Sequence, residues 1–215
     1  MSAELIYEQL RTYGMTHAGA CGMMGNLMAE SSLIANIAQR GMTKLTDVEY
    51  TAKFDNAPES CYRDGVGYGL AQWTYWSRKK ALFEFMYSHG ESVGDEERQV
   101  DFIVHELKSD FPGLYSFLCV TNDMYAATDR VCREYERPAV NNVDRRYEFA
   151  KIFDKDFANS PEIPESSNGK WFPPDQSILV LQAVLVANGY QTELNGYKNE
   201  QFLQTLREFV KDIGG

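Results

Sequence analysis

The chain has 215 residues, 44% hydrophobic and 24% charged, enough apolar material for one good-sized domain or a domain with a small appendage. Its formal net charge of −10 argues against nonspecific binding to nucleic acid or anionic lipid, which needs a basic surface. A carbohydrate polymer stays admissible, because sugars are held by hydrogen bonds and aromatic faces rather than by net charge.

Helical periodicity dominates from the start. Ser2 to Tyr13 reads as a short amphipathic helix stopped by Gly14, and Thr16 as the N-cap of a second helix ending at Glu30. Thr46-Asp47-Val48-Glu49 is a capping box that opens a helix toward Phe54, punctuated by Asp55-Asn56-Ala57-Pro58. Further helices are expected from Ser77 to His89 with Gly90 behind it, Asp95 to Lys108, Asn122 to Tyr135 before Pro138, and Asn142 to Phe157. Period-2 alternation is scarce, so the fold class is mainly α. The pattern between Ile34 and Gly69 leaves room for a small hairpin.

The seam of the chain is Asn159-Ser160-Pro161-Glu162-Ile163-Pro164-Glu165-Ser166-Ser167-Asn168-Gly169, a linker composition. The expected domains are therefore residues 1–158, a linker over 159–174, and a small helical domain over 175–215 with helices at about Asp175 to Asn188 and Asn199 to Ile213. Met1-Ser2-Ala3-Glu4 lacks a secretory pattern, and the apolar run from Ile178 to Ala187 is too short to span a bilayer, so no signal peptide and no membrane insertion are expected. The four cysteines (Cys21, Cys61, Cys119, Cys132) and three histidines (His17, His89, His105) show no metal-ligand spacing, so neither a metal nor another cofactor is expected.

Two stretches carry chemistry. Glu30 closes an almost uncharged run, Thr16 to Ala29, whose small and apolar residues suit burial. Burial, the negative end of the helix dipole and the lack of a cation nearby in sequence would all favour a protonated carboxyl, as a general acid requires. The second stretch runs from Asp64-Gly65-Val66-Gly67-Tyr68-Gly69 to Gln72-Trp73-Thr74-Tyr75-Trp76. Its glycines permit close approach of a ligand, Gln72 can bind hydroxyl and acetamido groups, and Tyr68, Trp73, Tyr75 and Trp76 offer faces for pyranose rings or for the core. Cys21 near a helix N-terminus with His105 as base is a further candidate, for an amidase or endopeptidase.

Gly25-Asn26-Leu27-Met28-Ala29-Glu30-Ser31, Gly67 to Thr74, Arg78-Lys79, and Tyr135-Glu136-Arg137-Pro138 together resemble the phage-tail-type lysozyme family, related to goose-type lysozymes and lytic transglycosylases. The resemblance covers roughly Ser2 to Phe153. It implies a lysozyme-like α-helical domain that cleaves the β-1,4 bond between N-acetylmuramic acid and N-acetylglucosamine in bacterial peptidoglycan. Glu30 takes the place of the catalytic acid, Gln72 of the substrate-contacting glutamine, Tyr68 of its companion in the cleft, and Tyr135 of an aromatic facing the site. Trp73 joins them as a substrate-binding residue.

The second catalytic carboxylate is open among Asp47, Glu49, Asp55 and Asp64. Asp64 is preferred because it precedes the glycine turn, although a turn-capping role suits it equally. Leu179 to Gly189 with Tyr190 resembles a peptidoglycan-binding three-helix domain, with Asn195 where an Asp is usual and no Phe-Gly-x-x-Thr element. The combination implies a phage endolysin, made in the host cytoplasm and acting at the wall after release; a tail-associated lysozyme is the other location. A lytic transglycosylase and a noncatalytic wall-binding module are the remaining readings.

Overall fold

The computed structural model describes residues 3–158 and, beyond them, residues 160, 185, 189, 190, 204–206, 208, 209 and 211. By contacts the chain divides into two units, Met1–Pro161 and Glu162–Gly215. The first unit contains α1 (Ala3–Thr12), α2 (His17–Ser31), α3 (Asp47–Asn56), α4 (Glu59–Tyr62), α5 (Trp76–His89), α6 (Glu96–Ser109), α7 (Pro112–Leu118), α8 (Met124–Arg130) and α9 (Val143–Asp156). A π-helical turn, Val131–Glu136, continues α8. The described residues contain no β-strand; where a hairpin had room, single bridges join Ala38 to Tyr68 and Tyr68 to Trp73. The expected helix from Asn122 to Tyr135 is thus α8 plus a π turn, and the short α4 and α7 were not anticipated.

Helix α2 organises the domain. Thr16 caps it by accepting from the Gly19 amide at 2.9 Å, and its residues from Gly19 to Leu27 are buried. A helix that is apolar all round needs neighbours all round. It obtains them by carrying glycine at every third position toward its partners. A Cβ on Gly19 would overlap the Leu118 carbonyl oxygen, one on Gly22 would lie 2.7 Å from Ala127 Cβ, and one on Gly25 would overlap the Arg146 carbonyl oxygen. The three glycines lower the surface of α2 so that the backbones of α7, α8 and α9 close directly onto it. Helix α9 makes the most extensive of these contacts.

The region between α2 and α5 is irregular and is held by buried polar groups. Lys79 on α5 is fully buried and donates to Asp64 Oδ1 (2.8 Å), the Tyr50 hydroxyl (2.7 Å) and the Val66 carbonyl (2.9 Å). Burial lowers the affinity of this ammonium for its proton, more than the Asp64 carboxylate restores it. Its charge lies over the Tyr50 and Phe54 rings, which pack in turn on Tyr68.

In the second unit the described residues include a helix end. Gly189 has φ +86°, the Tyr190 amide donates to the Leu185 carbonyl at 3.0 Å, and Leu185 is buried, a left-handed glycine cap closed by a bond across five residues. The Tyr190 ring stands edge-on to Phe209 with centroids 5.5 Å apart. Of the expected helix from Asn199 to Ile213, residues 204–206, 208, 209 and 211 are described and helical; the rest of that domain, and all of the expected linker but residue 160, lie outside the described residues.

Candidate active site

Glu30 lies in the last turn of α2, with its side chain 20% exposed, where the helix leaves the core. The chain turns away at once, through Ser32 at φ 56° and Leu33 at φ 59°, two consecutive left-handed residues that are not glycine. Against this carboxylate stands Arg146 of α9, whose Nη2 donates to Glu30 Oε1 at 2.5 Å. The sequence places no cation beside Glu30, and the fold supplies one from 116 positions downstream. Arg146 is itself nearly buried, and its Nη1 donates to Asn26 Oδ1 at 3.2 Å. Asn26 is held by donating to the carbonyls of Gly22 (2.8 Å) and Thr128 (3.1 Å). Glu30 is thereby fixed by a buried chain of hydrogen bonds linking α2, α8 and α9.

A second carboxyl group is coupled to it. Glu136 ends the π-helical turn, and Arg137 behind it is left-handed (φ 50°), its amide donating to the Cys132 carbonyl five residues back. Burial first, and then repulsion by the Glu30 carboxylate and more weakly by Glu106, raise Glu136 well above the usual carboxylate range; Arg78 and Arg146 oppose the shift without cancelling it. Glu136 Oε1 and Arg146 Nε are both buried without a hydrogen-bond partner. An acceptor and a donor left in this state each cost about 1–3 kcal/mol.

Arg78 connects this pair to the Gln72-Trp73-Thr74 stretch. It binds Glu106 of α6 in a fork, and its guanidinium also covers the Tyr135 ring 4.6 Å from the centroid. Glu106 Oε2 accepts from Trp73 Nε1 (2.8 Å) and the Tyr135 hydroxyl (2.7 Å). The Ala-Glu-Ser, Gln-Trp-Thr, Arg-Lys and Tyr-Glu-Arg-Pro pieces, far apart in sequence, therefore share one buried electrostatic network.

The residues expected to hold substrate separate into two groups. Tyr68 is fully buried with its hydroxyl on Thr51 Oγ1 (2.6 Å), and Trp73 and Tyr135 are equally inaccessible with their polar tips on Glu106. As placed, these rings offer no face to a sugar. Of the two roles open to Tyr68 and Trp73, a sugar face or the core, they take the core here, and Tyr135 is buried likewise, with all three polar tips bonded inside the domain. Tyr75 and Trp76 are exposed instead. With Tyr62, Arg63, Gly65 and Thr74 they line an open cavity of about 480 Å³, and the Arg63 guanidinium lies 4.5 Å from the Trp76 ring centroid.

Gln72 stays half-buried, in a left-handed backbone conformation (φ 46°), with Nε2 donating to the Gly69 carbonyl at 3.0 Å and the Ile37 carbonyl at 3.3 Å. Gly67 faces the side-chain oxygens of Gln72, Thr74 and Gln39; a Cβ there would lie 3.0, 3.1 and 3.3 Å from them, so glycine keeps this polar recess open.

Asp64 is committed elsewhere. Burial disfavours its charge, but Lys79, the Val66 amide and the Tyr50 hydroxyl more than compensate and hold it below its ordinary value. The other acidic candidates are likewise occupied. Asp47 accepts from the Ala38 amide and pairs with Arg40, Glu49 completes the capping box, and Asp55 accepts from Ser92 Oγ and the Val93 amide. Cys21 is fully buried, and burial pushes its thiol up to about 12; its histidine neighbour is His17, at 3.8 Å from Nε2, rather than the expected His105. Among the described residues no group of His, Cys, Asp and Glu is arranged to hold a metal ion, and no helix is long and apolar enough to cross a membrane.

Sequence reasoning did not single out Glu106, Glu136 and Arg146 as functional residues. One signal was available for Glu106: it falls on the apolar stripe of α6, three residues after Ile103 and beside Leu107. A second signal bears on Glu136 and exists only after folding. The four described non-glycine residues with positive φ, Ser32, Leu33, Gln72 and Arg137, flank or include Glu30, Gln72 and Glu136. Strained backbone clusters where function holds it in place.

The fold and the site define a helical domain built on a buried central helix that presents one ion-paired glutamate at its end. The chain belongs to the phage tail lysozyme family, whose model matches residues 1–157. That membership makes lysis of peptidoglycan its general activity. No curated protein matches the sequence.

Proposed function

We propose that the chain cleaves the β-1,4 bond between N-acetylmuramic acid and N-acetylglucosamine, with Glu30 as the general acid. The observation that carries this reading is how Glu30 is held. Oε1 is held by Arg146, while among the described residues Oε2 accepts no hydrogen bond, and the group sits at the partly exposed end of an otherwise buried helix. A rigidly supported carboxyl with one uncommitted oxygen is what proton delivery to a leaving oxygen requires. Protonation breaks the glycosidic bond as oxocarbenium character develops on the muramic sugar. Gln72, beside the recess at Gly67, orients the substrate, and Tyr75 and Trp76 supply stacking faces.

What captures the cation distinguishes two products. Water gives a reducing muramic end. Because Asp47, Glu49, Asp55 and Asp64 are each tied into loop structure, the sugar's own 6-hydroxyl is a second reading, giving a 1,6-anhydro end. In this proposal the second unit serves as a wall-docking module, making the whole an endolysin.

Mass spectrometry of fragments released from purified peptidoglycan, with wild type and Glu30→Gln side by side, tests the reading. Muramic ends from wild type alone support it, and their reducing or anhydro form separates the two products. Undiminished release by Glu30→Gln rejects Glu30 as the acid, and release of free peptides rejects glycan cleavage.

A further inference from the structure

The open cavity beside Gly65 holds a cation that the proposed chemistry leaves without a task. Arg63 directly follows α4 and is exposed, and its guanidinium lies over the ring of Trp76, the first residue of α5, 4.5 Å from the centroid. Two other arginines of this protein are stacked in the same way. Arg78 lies over Tyr135 and forks to Glu106, and Arg130 lies over Phe117 and forks to Glu134. Stacking covers one face of a guanidinium and leaves the N–H groups at its edge free, where a carboxylate accepts two of them side by side. At Arg63 the ring is in place, yet among the described residues its side chain makes no ion pair and no hydrogen bond. The adjacent carboxylate, Asp64, does not serve it, being held by Lys79 and by the Tyr50 hydroxyl, each at 2.8 Å.

The cavity itself narrows the choice of partner. Among the described residues that line its 480 Å³, Arg63 alone is charged, although the chain as a whole carries a net charge of −10. A Cβ on Gly65 would meet nothing within 4 Å, so the space beside Arg63 is open. Thr74 joins the cavity to the recess at Gly67, where its Oγ1 stands beside Gln72 Oε1. We propose that Arg63 binds a carboxylate of the peptide borne by the muramic sugar, so that this cavity recognises muramyl peptide rather than bare glycan. The proposal rests on the reading that Gln72, Tyr75 and Trp76 belong to the glycan-binding cleft. A chain of N-acetylglucosamine alone presents hydroxyl and acetamido groups, which Gln72 and Thr74 can bind, but no carboxylate. The peptide on a muramic sugar supplies one. Tyr75, 65% exposed, then takes the sugar face, and the edge of the Arg63 guanidinium takes the carboxylate in the fork seen at Arg78 and Arg130. The peptide lies off the bond being broken, so this contact is equal in ground and transition states and acts on KM rather than kcat. Arg63 is a specificity-determining residue, not a catalytic one.

The test titrates the full-length protein, followed by NMR, with N-acetylmuramyl-L-alanyl-D-glutamate and with the same compound converted to its diamide. Wild type should bind the acid about tenfold more tightly than the diamide, the scale of a charge-assisted pair. Arg63→Gln should bind the two alike, at the affinity wild type shows for the diamide. Arg63→Lys keeps the charge without the fork and should recover part of the preference. Equal binding of acid and diamide by wild type overturns the proposal. So does a preference that survives in Arg63→Gln, or an equal loss toward both compounds, which a purely structural role would give. Where binding of so small a probe lies below detection, kinetics on purified peptidoglycan decide. Arg63→Gln should raise KM about tenfold at nearly unchanged kcat, and amidating the carboxylates of the peptidoglycan should abolish that difference from wild type; an unchanged KM, or a difference that outlasts amidation, overturns it. The probe has no β-1,4 bond, so its binding is independent of Glu30. Absence of muramic ends among wild-type products would reject glycan cleavage while leaving the result at Arg63 to stand or fall by itself.

Discussion

Arg78 and Glu106 form a two-pronged pair, Nε to Oε1 at 2.7 Å and Nη2 to Oε2 at 2.8 Å, with Glu106 almost wholly buried. Removing one member of such a pair strands the other in a poorly solvated place. Glu106→Ala should cost about 3–5 kcal/mol of stability, read by chemical denaturation. The Trp73 and Tyr135 tips lose their acceptor in the same step. A cost below about 1 kcal/mol would mean that the network relaxes freely around the gap.

Asp64 and Lys79 give a pH-dependent counterpart. Asp64 titrates lower folded than unfolded, so its contribution is complete above its unfolded value near about pH 4 and is lost as pH falls through the lower folded value. Asp64→Asn should destabilise the domain by about 3–5 kcal/mol at neutral pH, because Lys79 is left buried without its counter-ion. The gap from wild type should close in acid. Turnover measured well below the melting temperature should persist, since the carboxylate serves the loop; complete loss of turnover in a folded variant would return Asp64 to the chemistry.

Gly25→Val probes the supporting helix. The new side chain would collide with the Arg146 backbone and Ala150 Cβ, forcing α9 away from α2 at an overpacking cost of about 1–3 kcal/mol or more. Because Arg146 rides on α9, activity should fall in the fraction that remains folded. Thermal melting and lytic rate measured on the same sample check both effects; a stability loss with full activity would show that the Glu30–Arg146 pair tolerates displacement.

Alkylation of the native protein should leave lysis unchanged. Cys21, Cys61 and Cys132 are buried, and Cys119 alone among the described cysteines is partly exposed. Peptide mapping after iodoacetamide should find Cys119 modified first. Inactivation that tracks modification of Cys21 would revive a thiol mechanism.

Much of the scaffold was legible in the chain. Thr16 and the Thr46–Glu49 box announced helix starts because capping is local chemistry, decided within three residues. Glu30 was conspicuous as the lone charge at the end of an apolar run. Its partner was not, because Arg146 sits among ordinary surface-like residues, Asp144, Arg145 and Tyr147, and only the closure of α9 onto Gly25 brings it inward. The aromatics misled for a related reason: a ring with a polar tip looks the same in a sugar cleft and above a buried Glu106. Burial is a property of the assembled helices, whereas Tyr68 and Tyr75 are the same residue type in the same short stretch.

The π-helical turn has a consequence for how this site can vary. A residue accommodated beyond the regular α-helical count displaces everything after it by about 100° around the helix axis. Tyr135 and Glu136 point where they do because Val131–Glu136 is wound one residue wider per turn, as the Arg137-to-Cys132 bond records. Deleting a single residue there, even one whose side chain is dispensable, would rewind the turn, turn Glu136 elsewhere and swing Tyr135 off Arg78 and Glu106. The arrangement is therefore written in the spacing of the chain as much as in its letters, and single-residue deletion scanning across this turn should prove more damaging than alanine scanning of the same positions.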